Sequence, residues 1–486
     1  MPAMPRTPAW YLLTRHWLSL TGAALVITSW LSLLFITPHQ LRGHADNPYV
    51  GIIVFFVLPL VFLLGLLLIP IGVYLSKREI RMGLAEAGFD RKTALRRLAL
   101  FLGITTGVNL LIGTQLTYRA VAHMETPQFC GATCHTMKPQ FTAYQNSAHS
   151  RVECVECHVA PGAAGWVQSK MNGMRQLVET VMRTAPRPVP SAITSNRLVP
   201  ARQTCENCHW PDKFSGTRLR ILSKYAEDEA NTRTQTVLLM MIGGAGFSGI
   251  HGAHLGPGIR IRFGATDSSR QSISWVEYHN DTTGEVRRYA AADPPGDSPQ
   301  VQPQFEMQCV DCHNRPAHTF DLPERAMDKA MAAGQIPISL PFIKKKGVEV
   351  LRTEYATREE AATKIPAALT GFYQQNYPAL FAQQPQTVSR AAAGVLAIYN
   401  RNVFPDLKVT WGTYPNNLGH TDFPGCFRCH DGAHTAQGGN AIAADCNACH
   451  EPLAMDEASP QILKTLGLSE RLSTMEAAGE QKNYGK

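Results

Sequence analysis

The first quarter of the chain is built from three long apolar runs, and the rest is polar with a periodicity that changes twice. Leu20 to Ile36 is nearly all apolar. Val50 to Leu75 is interrupted by Pro59 and Pro70, and Leu98 to Leu116 carries polar Thr105, Thr106 and Asn109. Each run is close to the roughly 20 residues that a helix needs to cross a hydrocarbon core. Beyond them, Thr126 to Arg220 shows little hydrophobic periodicity, apart from a helical stretch at Gly165 to Met182 that the Pro186-Arg-Pro-Val-Pro190 breaker ends. Strand-like alternation follows in Ile259-Arg-Ile-Arg-Phe263, Ile273 to His279 and Val286 to Tyr289. The Asp281-Thr-Thr-Gly284 turn joins the last two into a small antiparallel sheet. A Pro-rich linker covers Asp293 to Pro303. Helical patterning then takes over in Pro323 to Ala333, Arg358 to Gln374 and Pro385 to Asn402, with Pro405 as a stop. The tail after Leu453 reads as polar, partly helical and poorly ordered.

Charge orients the apolar runs. Lys77, Arg78, Arg81, Arg91, Lys92, Arg96 and Arg97 lie between the second and third, whereas Thr37 to Tyr49 carries only Arg42. The positive-inside rule puts the N-terminus and the basic loop in the cytoplasm, so the third run exits outward shortly before Cys130. A cleaved signal peptide is the other reading of the first run. No small-x-small site follows it and Thr37-Pro38 is a poor end for one, which favours a retained anchor.

All twelve cysteines fall into six motifs. Five read C-x-x-C-H: Cys154/Cys157/His158, Cys205/Cys208/His209, Cys309/Cys312/His313, Cys426/Cys429/His430 and Cys446/Cys449/His450. The first in the chain is one residue wider, with Cys130, Cys134 and His135. In c-type cytochromes the thiols form thioethers with the haem and the adjacent histidine reaches the iron. Zinc sites and disulfides do not explain a histidine after every cysteine pair. Six haems on one chain imply electron transfer. The expected fold is a membrane-anchored multihaem cytochrome c, mainly α or irregular, with three transmembrane helices and a small antiparallel β insert. Its expected parts are an anchor at 1–120, a four-haem domain at 121–320 with the insert near 245–290, a helical spacer at 321–415, a two-haem module at 416–453 and a polar tail at 454–486.

The formal net charge of +8 changes meaning once haem is counted. Two propionates per haem bring the net to about −4, so the basic composition is no sign of nucleic-acid binding. Distal ligands must come from outside the motifs, where eleven of the seventeen histidines lie. His16, His39 and His44 sit near the first apolar run. His123, His149, His251, His254, His279, His318, His420 and His434 remain, of which five are wanted. His149, His318, His420 and His434 are favoured by position, and the glycine-flanked pair His251 and His254 can approach a porphyrin closely. Met137, two residues after His135, is an alternative ligand for the first haem, and methionine ligation raises a haem potential.

The run Cys130 to Val178 contains C-H-x-M, Tyr144-Gln-Asn-Ser-Ala-His149, Cys154-Val-Glu-Cys-His-Val-Ala-Pro161, and Ser169-Lys170 with Gly173. It resembles the NapC/NirT group of membrane-anchored multihaem quinol dehydrogenases. Cys309-Val-Asp-Cys-His-Asn-Arg-Pro-Ala-His318 resembles the fourth-haem motif of that group. The β insert, the spacer and the last two motifs exceed the four-haem module. That longer layout resembles the larger inner-membrane cytochromes of metal-respiring bacteria. The resemblance implies quinol oxidation beside the first haem, Met137 as its ligand with His135 free of iron, and His149 and His318 as distal ligands. It also implies Lys170 in the quinol site. The family's acidic partner is not matched, since Gln176 and Leu177 stand at the expected positions and Glu179 is the nearest carboxylate. Lysine and carboxylate together would bind and deprotonate quinol hydroxyls.

The leading functional expectation is therefore an inner-membrane cytochrome that oxidises quinol and passes electrons to a periplasmic acceptor, such as another cytochrome, in anaerobic respiration. The alternative is a non-catalytic haem wire docked on other membrane subunits. A terminal reductase ranks last because no C-x-x-C-K motif is present.

Overall fold

The computed structural model describes residues 9–40, 57–82, 91–133, 135–191, 199–210, 216–243, 249–291 and 303–468. The start of the second apolar run (50–56), much of the first loop and part of the basic loop lie outside the described residues, as do most of the Pro-rich linker and the end of the tail. The chain divides into a unit at 1–124 and a unit at 125–486. The first four motifs, the stretch expected as a spacer and the last two motifs thus fall in one compact unit.

In the first unit the apolar runs form α1 (Trp17–Gln40), α2 (Leu58–Arg81) and α3 (Arg91–Glu125), the last ending just inside the second unit. Two helices, Leu58–Arg81 and Lys92–Glu125, are long and apolar enough to cross a membrane. The apolar part of α1, Trp17–Leu33, is shorter. Helices α1 and α2 pack backbone to backbone. A Cβ on Gly22 would lie 2.6 Å from the Gly65 carbonyl oxygen, and one on Gly65 would lie 2.7 Å from that of Gly22. Small residues permit this approach where lipid tails offer no hydrophobic drive for helices to associate.

The second unit opens with α4 (Lys138–Gln145) and α5 (Gly162–Val181), and α5 buries no residue. A hairpin of β1 (Arg218–Tyr225) and β2 (Arg233–Met240) follows, then α6 (Gly249–Leu255). The predicted insert strands are β3 (Ile259–Ala265), β4 (Ile273–Asn280) and β5 (Glu285–Ala291), paired antiparallel with Phe263 opposite Val276 and Tyr278 opposite Arg287. Short β6 (Gln304–Glu306) borders β3.

Four helices of ten or more residues come next, α7 (Pro323–Ala332), α8 (Ile343–Arg352), α9 (Arg358–Asn376) and α10 (Pro385–Asn402), with the short helix Pro378–Gln383 between the last two. Here lies the largest apolar core, with Met327, Ile336, Leu340, Ile343, Leu351, Ile365, Leu369 and Val395 fully buried. Thr357 caps α9 by accepting the Glu360 N–H at 3.1 Å, a contribution of about 1 kcal/mol. Inside the core Lys344 Nζ pairs with Asp328 at 2.5 Å and also donates to the Glu324 carbonyl at 2.6 Å. The buried ammonium is thus paired and hydrogen-bonded, the condition under which its burial is tolerated.

The last strands, β7 (His434–Ala436) and β8 (His450–Glu457), close two sheets of order β6-β3-β4-β5-β7 and β1-β2-β8. The structure departs from expectation at the chain end. Residues 453–457 are strand, because β8 pairs with β2 and Met240 stands opposite His450. Gln461–Thr465 then forms a helical turn, and Leu463 is buried against Val237 and Ala454.

Leu369→Ala should cost about 2–5 kcal/mol, the usual loss for a fully buried leucine. Thermal unfolding followed by circular dichroism should show a clearly lower midpoint. An unchanged midpoint would mean that this helical core does not hold the unit together.

Candidate functional site

Each cysteine motif forms about one helical turn, and that explains its spacing. Residues at i, i+3 and i+4 of a helical turn share a face, so both sulfurs and the following imidazole can meet one ligand. Cys154–His158 is an α-turn, while Cys205–Asn207, Gly425–Arg428 and Cys446–Ala448 are 3₁₀ turns. The backbone closes them: His209 N–H donates to Cys205 O at 2.8 Å, His313 to Cys309 O at 2.8 Å, and His430 to Cys426 O at 3.1 Å. The wider first motif takes the wider turn, a π-type turn over Phe129–Thr133. Cys134 lies outside the described residues, as does the side chain of His135. Met137 ends a 3₁₀ turn just before α4 and is half-buried.

Every C-x-x-C-H histidine faces one histidine from elsewhere in the chain. Ring centres are 6.3 Å apart for His158 and His318, 5.9 Å for His209 and His149, and 6.2 Å for His313 and His251. They are 5.7 Å apart for His430 and His254, and 6.2 Å for His450 and His420. A metal binds an imidazole nitrogen at about 2 Å, so two rings on opposite sides of one iron have centres roughly 6 Å apart.

The second ring nitrogens support the same use. Nδ1–H donates to a carbonyl in His149 (Pro316 O, 3.2 Å), His254 (Ile250 O, 2.7 Å), His318 (Gln140 O, 3.0 Å) and His430 (Ala443 O, 2.6 Å). Such a bond fixes the tautomer and leaves Nε2 as the free lone pair. Burial lowers the pKa of His158, His251, His254 and His313, and brings His318 down to about 4. A ligand must be neutral, and these imidazoles are kept so. The donor set fits haem c held by two cysteines and two imidazoles.

The motif loops lie beside one another in chain order. The Cys130 and Cys154 thiols are hydrogen-bonded, which pushes the Cys130 pKa down to about 7 with help from Lys170. Burial raises Cys157, with Cys205 and Cys208 close by. His209 is a near neighbour of His313, and Ala201 N–H donates to Gln308 Oε1 at 2.8 Å. Burial pushes Cys312 up to about 12, against the pull of Arg428, with Cys426 and Cys429 adjacent. Cys449 is raised by burial and then by Cys426 and Cys446. Between the fourth and fifth loops Asp311, 4% exposed, pairs with Arg270 Nη1 at 2.7 Å. Arg428 Nη2 donates to the Asp311 carbonyl at 2.6 Å and its Nη1 to that of Arg270 at 2.7 Å. One turn of α6 supplies both His251 and His254, which face the fourth and fifth motif histidines.

Two expected site residues have other partners in the structure. His434, expected as a distal ligand, stands in β7 with both ring nitrogens engaged, Nδ1 with Asp431 at 2.9 Å and Nε2 with the Ile273 carbonyl at 3.1 Å. Neither nitrogen is left for a metal. Glu179 is not brought to Lys170; it pairs with Arg175 at 3.5 Å, one turn back on α5. Glu125, at the end of α3, holds that place. Its Oε1 is 3.6 Å from Lys170 Nζ and accepts the Trp166 Nε1–H at 2.9 Å. Lys170 Nζ also lies over the Trp166 ring, 5.2 Å from its centre. Sequence reasoning looked for the carboxylate downstream of Lys170, whereas it stands five residues before Cys130.

The family model described as "NapC/NirT cytochrome c family, N-terminal region" matches residues 91–201. Over 446 residues the chain is 38% identical to cytochrome c-type protein ImcH of Geobacter sulfurreducens, covering 89% of this chain and 87% of that protein. The chain belongs to the NapC/NirT cytochrome c family. Cytochrome c-type protein TorC of Escherichia coli (strain K12) is 26% identical over 125 residues, 22% of this chain and 31% of TorC. No solved structure matches. As a member of the NapC/NirT family the chain is a membrane-anchored electron-transfer cytochrome with covalently bound haem c. The match to ImcH extends well beyond the family region and so takes in most of the additional motifs.

His254→Ala should turn one low-spin haem high-spin, read by electron paramagnetic resonance, with covalent haem content unchanged. His434→Gln should leave the spin states as they are. The reverse pattern would reassign the fifth distal ligand.

Proposed function

We propose that this chain is an inner-membrane cytochrome that oxidises quinol and conducts electrons through six haems c to a periplasmic acceptor, such as another cytochrome. The observation that carries the reading is the set of five facing histidine pairs, one for each C-x-x-C-H motif, on a chain of a quinol-linked family. The haems supply one-electron carriers whose potentials are set by their axial ligands. His158, His209, His313, His430 and His450 are the proximal ligands, and His318, His149, His251, His254 and His420 the distal ones. Met137 would serve as a protein ligand of the first haem, as the family resemblance implies.

The anchor, 1–120, crosses the membrane three times with the N-terminus in the cytoplasm, in keeping with the basic Lys77–Arg97 loop. The four-haem module, 121–320, takes electrons beside Cys130. The helical spacer, 321–415, braces it, and the last two motifs, with β8, form the exit. Lys170 donates a hydrogen bond to a quinol oxygen and stabilises negative charge that develops there.

Pyridine haemochrome analysis of the purified protein should give about six haems c per chain, on the motif count. A reduced naphthoquinol should then reduce them without any other protein. Reduction that requires partner subunits would make the chain a wire and not a quinol dehydrogenase.

A further inference from the structure

We infer that Glu125 is the carboxylate that takes the proton from quinol in this protein, with Lys170 and Trp166 positioning it. The inference rests on the quinol reading above and names a catalytic group from a different element than α5. Three observations converge on one atom cluster. Glu125 Oε1 meets Lys170 Nζ at 3.6 Å and the Trp166 indole N–H at 2.9 Å. Trp166 and Lys170 are one turn apart on α5 and so share its face. Cys130 N–H donates at 3.2 Å to the carbonyl of Thr126, one residue after Glu125, which ties the cluster to the first haem-attachment turn.

The chemistry assigns different tasks to these groups. Quinol becomes quinone by losing two electrons and two protons, and the electrons leave singly through the haems. A protonated lysine can donate a hydrogen bond but cannot accept a proton, so the site needs a base. Glu125 supplies it. The Trp166 hydrogen bond and the 3.6 Å contact with Lys170 both use Oε1, so Oε2 is the oxygen assigned to the substrate hydroxyl. Oε2 takes one hydroxyl proton as the O–H bond breaks, and that proton then passes to water. The second follows the same route after the carboxylate has been emptied. The lysine orients the second quinol oxygen. Glu125 ends α3, whose apolar stretch is long enough to span a membrane. A ring carrying both hydroxyls and a lipid tail is held at such an end, where polar and apolar surroundings meet.

The test uses the full-length haem-loaded protein, a water-soluble naphthoquinol and dithionite. Glu125→Gln should slow naphthoquinol-driven haem reduction at least about tenfold, at the low end for loss of a general base. It should also flatten the rise of rate with pH, while haem content and dithionite reduction stay at wild-type levels. Glu125→Asp should recover most of the rate. If E125Q loses haem, Trp166→Phe is read in its place: a slower rate with a displaced pH profile supports the assignment, and a wild-type profile overturns it. Wild-type kinetics in E125Q, or slowing by Glu179→Gln in its stead, overturns it as well. Wild-type protein that dithionite reduces and naphthoquinol does not would remove the quinol reading itself.

Discussion

The facing imidazole pairs are the constraint on which the haem-bearing unit depends. Each requires two rings from separate parts of the chain to stand 5.7–6.3 Å apart. An imidazole that is free to rotate cannot hold that distance, and the chain fixes four of these rings, His149, His254, His318 and His430, through the second nitrogen. His149 is tied to Pro316 O and His318 to Gln140 O. These two bonds cross between the same two segments, 140–149 and 316–318, in opposite senses. Each segment therefore orients an imidazole carried by the other. Around these bonds the chain has little apolar core. Helix α5 buries nothing, and α4 contributes Ala143 to a small cluster with Phe320, Phe404, Leu407, Val409 and Tyr414. The tight packing lies instead in α7–α10, where no motif occurs. Rigidity is thus concentrated in a scaffold beside the pairs, and hydrogen bonds bring it to them.

Much of this was legible in the sequence because its physics is local. A C-x-x-C-H turn works through i, i+3 and i+4, so the motifs are readable without a fold. The alternation in Ile259–Phe263 and Ile273–His279 and the helical periods of α7, α9 and α10 are local too. What failed to show was what packing decides. His434 and His254 look alike as sequence, each a histidine near glycine. A strand partner and Asp431 claim the first, while a helical turn aims the second at His430. The strand through Leu453 to Glu457 was hidden for the same reason, since its pairing partner, β2, lies some two hundred residues earlier. The β1–β2 hairpin also carries a local signal, the alternation Arg218-Leu-Arg-Ile.

The buried ion pair of Asp311 and Arg270 needs a separate account. Ion pairs in interiors give little net stability, because desolvation offsets their attraction. Asp311 is nonetheless satisfied on all sides: its second oxygen accepts the Gln308 N–H at 2.8 Å, and its carbonyl accepts from Arg428 and from Asn417 at 3.0 Å. The residues so joined belong to two cysteine turns more than a hundred positions apart. The network's use is to set the register between those turns, a task for directional bonds and not for apolar contact.

Helix α6 shows why the β insert is there at all. The fourth and fifth motif histidines belong to parts of the chain that sequence alone would treat as separate modules. A seven-residue helix offers a histidine to each, three positions apart on one face. The helix is too short to be stable alone. Its N-terminal turn is held by backbone bonds from Ile250 to Met241 O and from His251 to Ile242 O, both 2.9 Å, at the end of β2. Its C-terminal end runs through Gly256 into β3. The two sheets therefore grip the helix from either side, and β8 and β7, which flank the sixth and follow the fifth motif, complete those same sheets. An insert that resembled an ornament on a four-haem module is thereby the element that makes the last two motifs continuous with the first four.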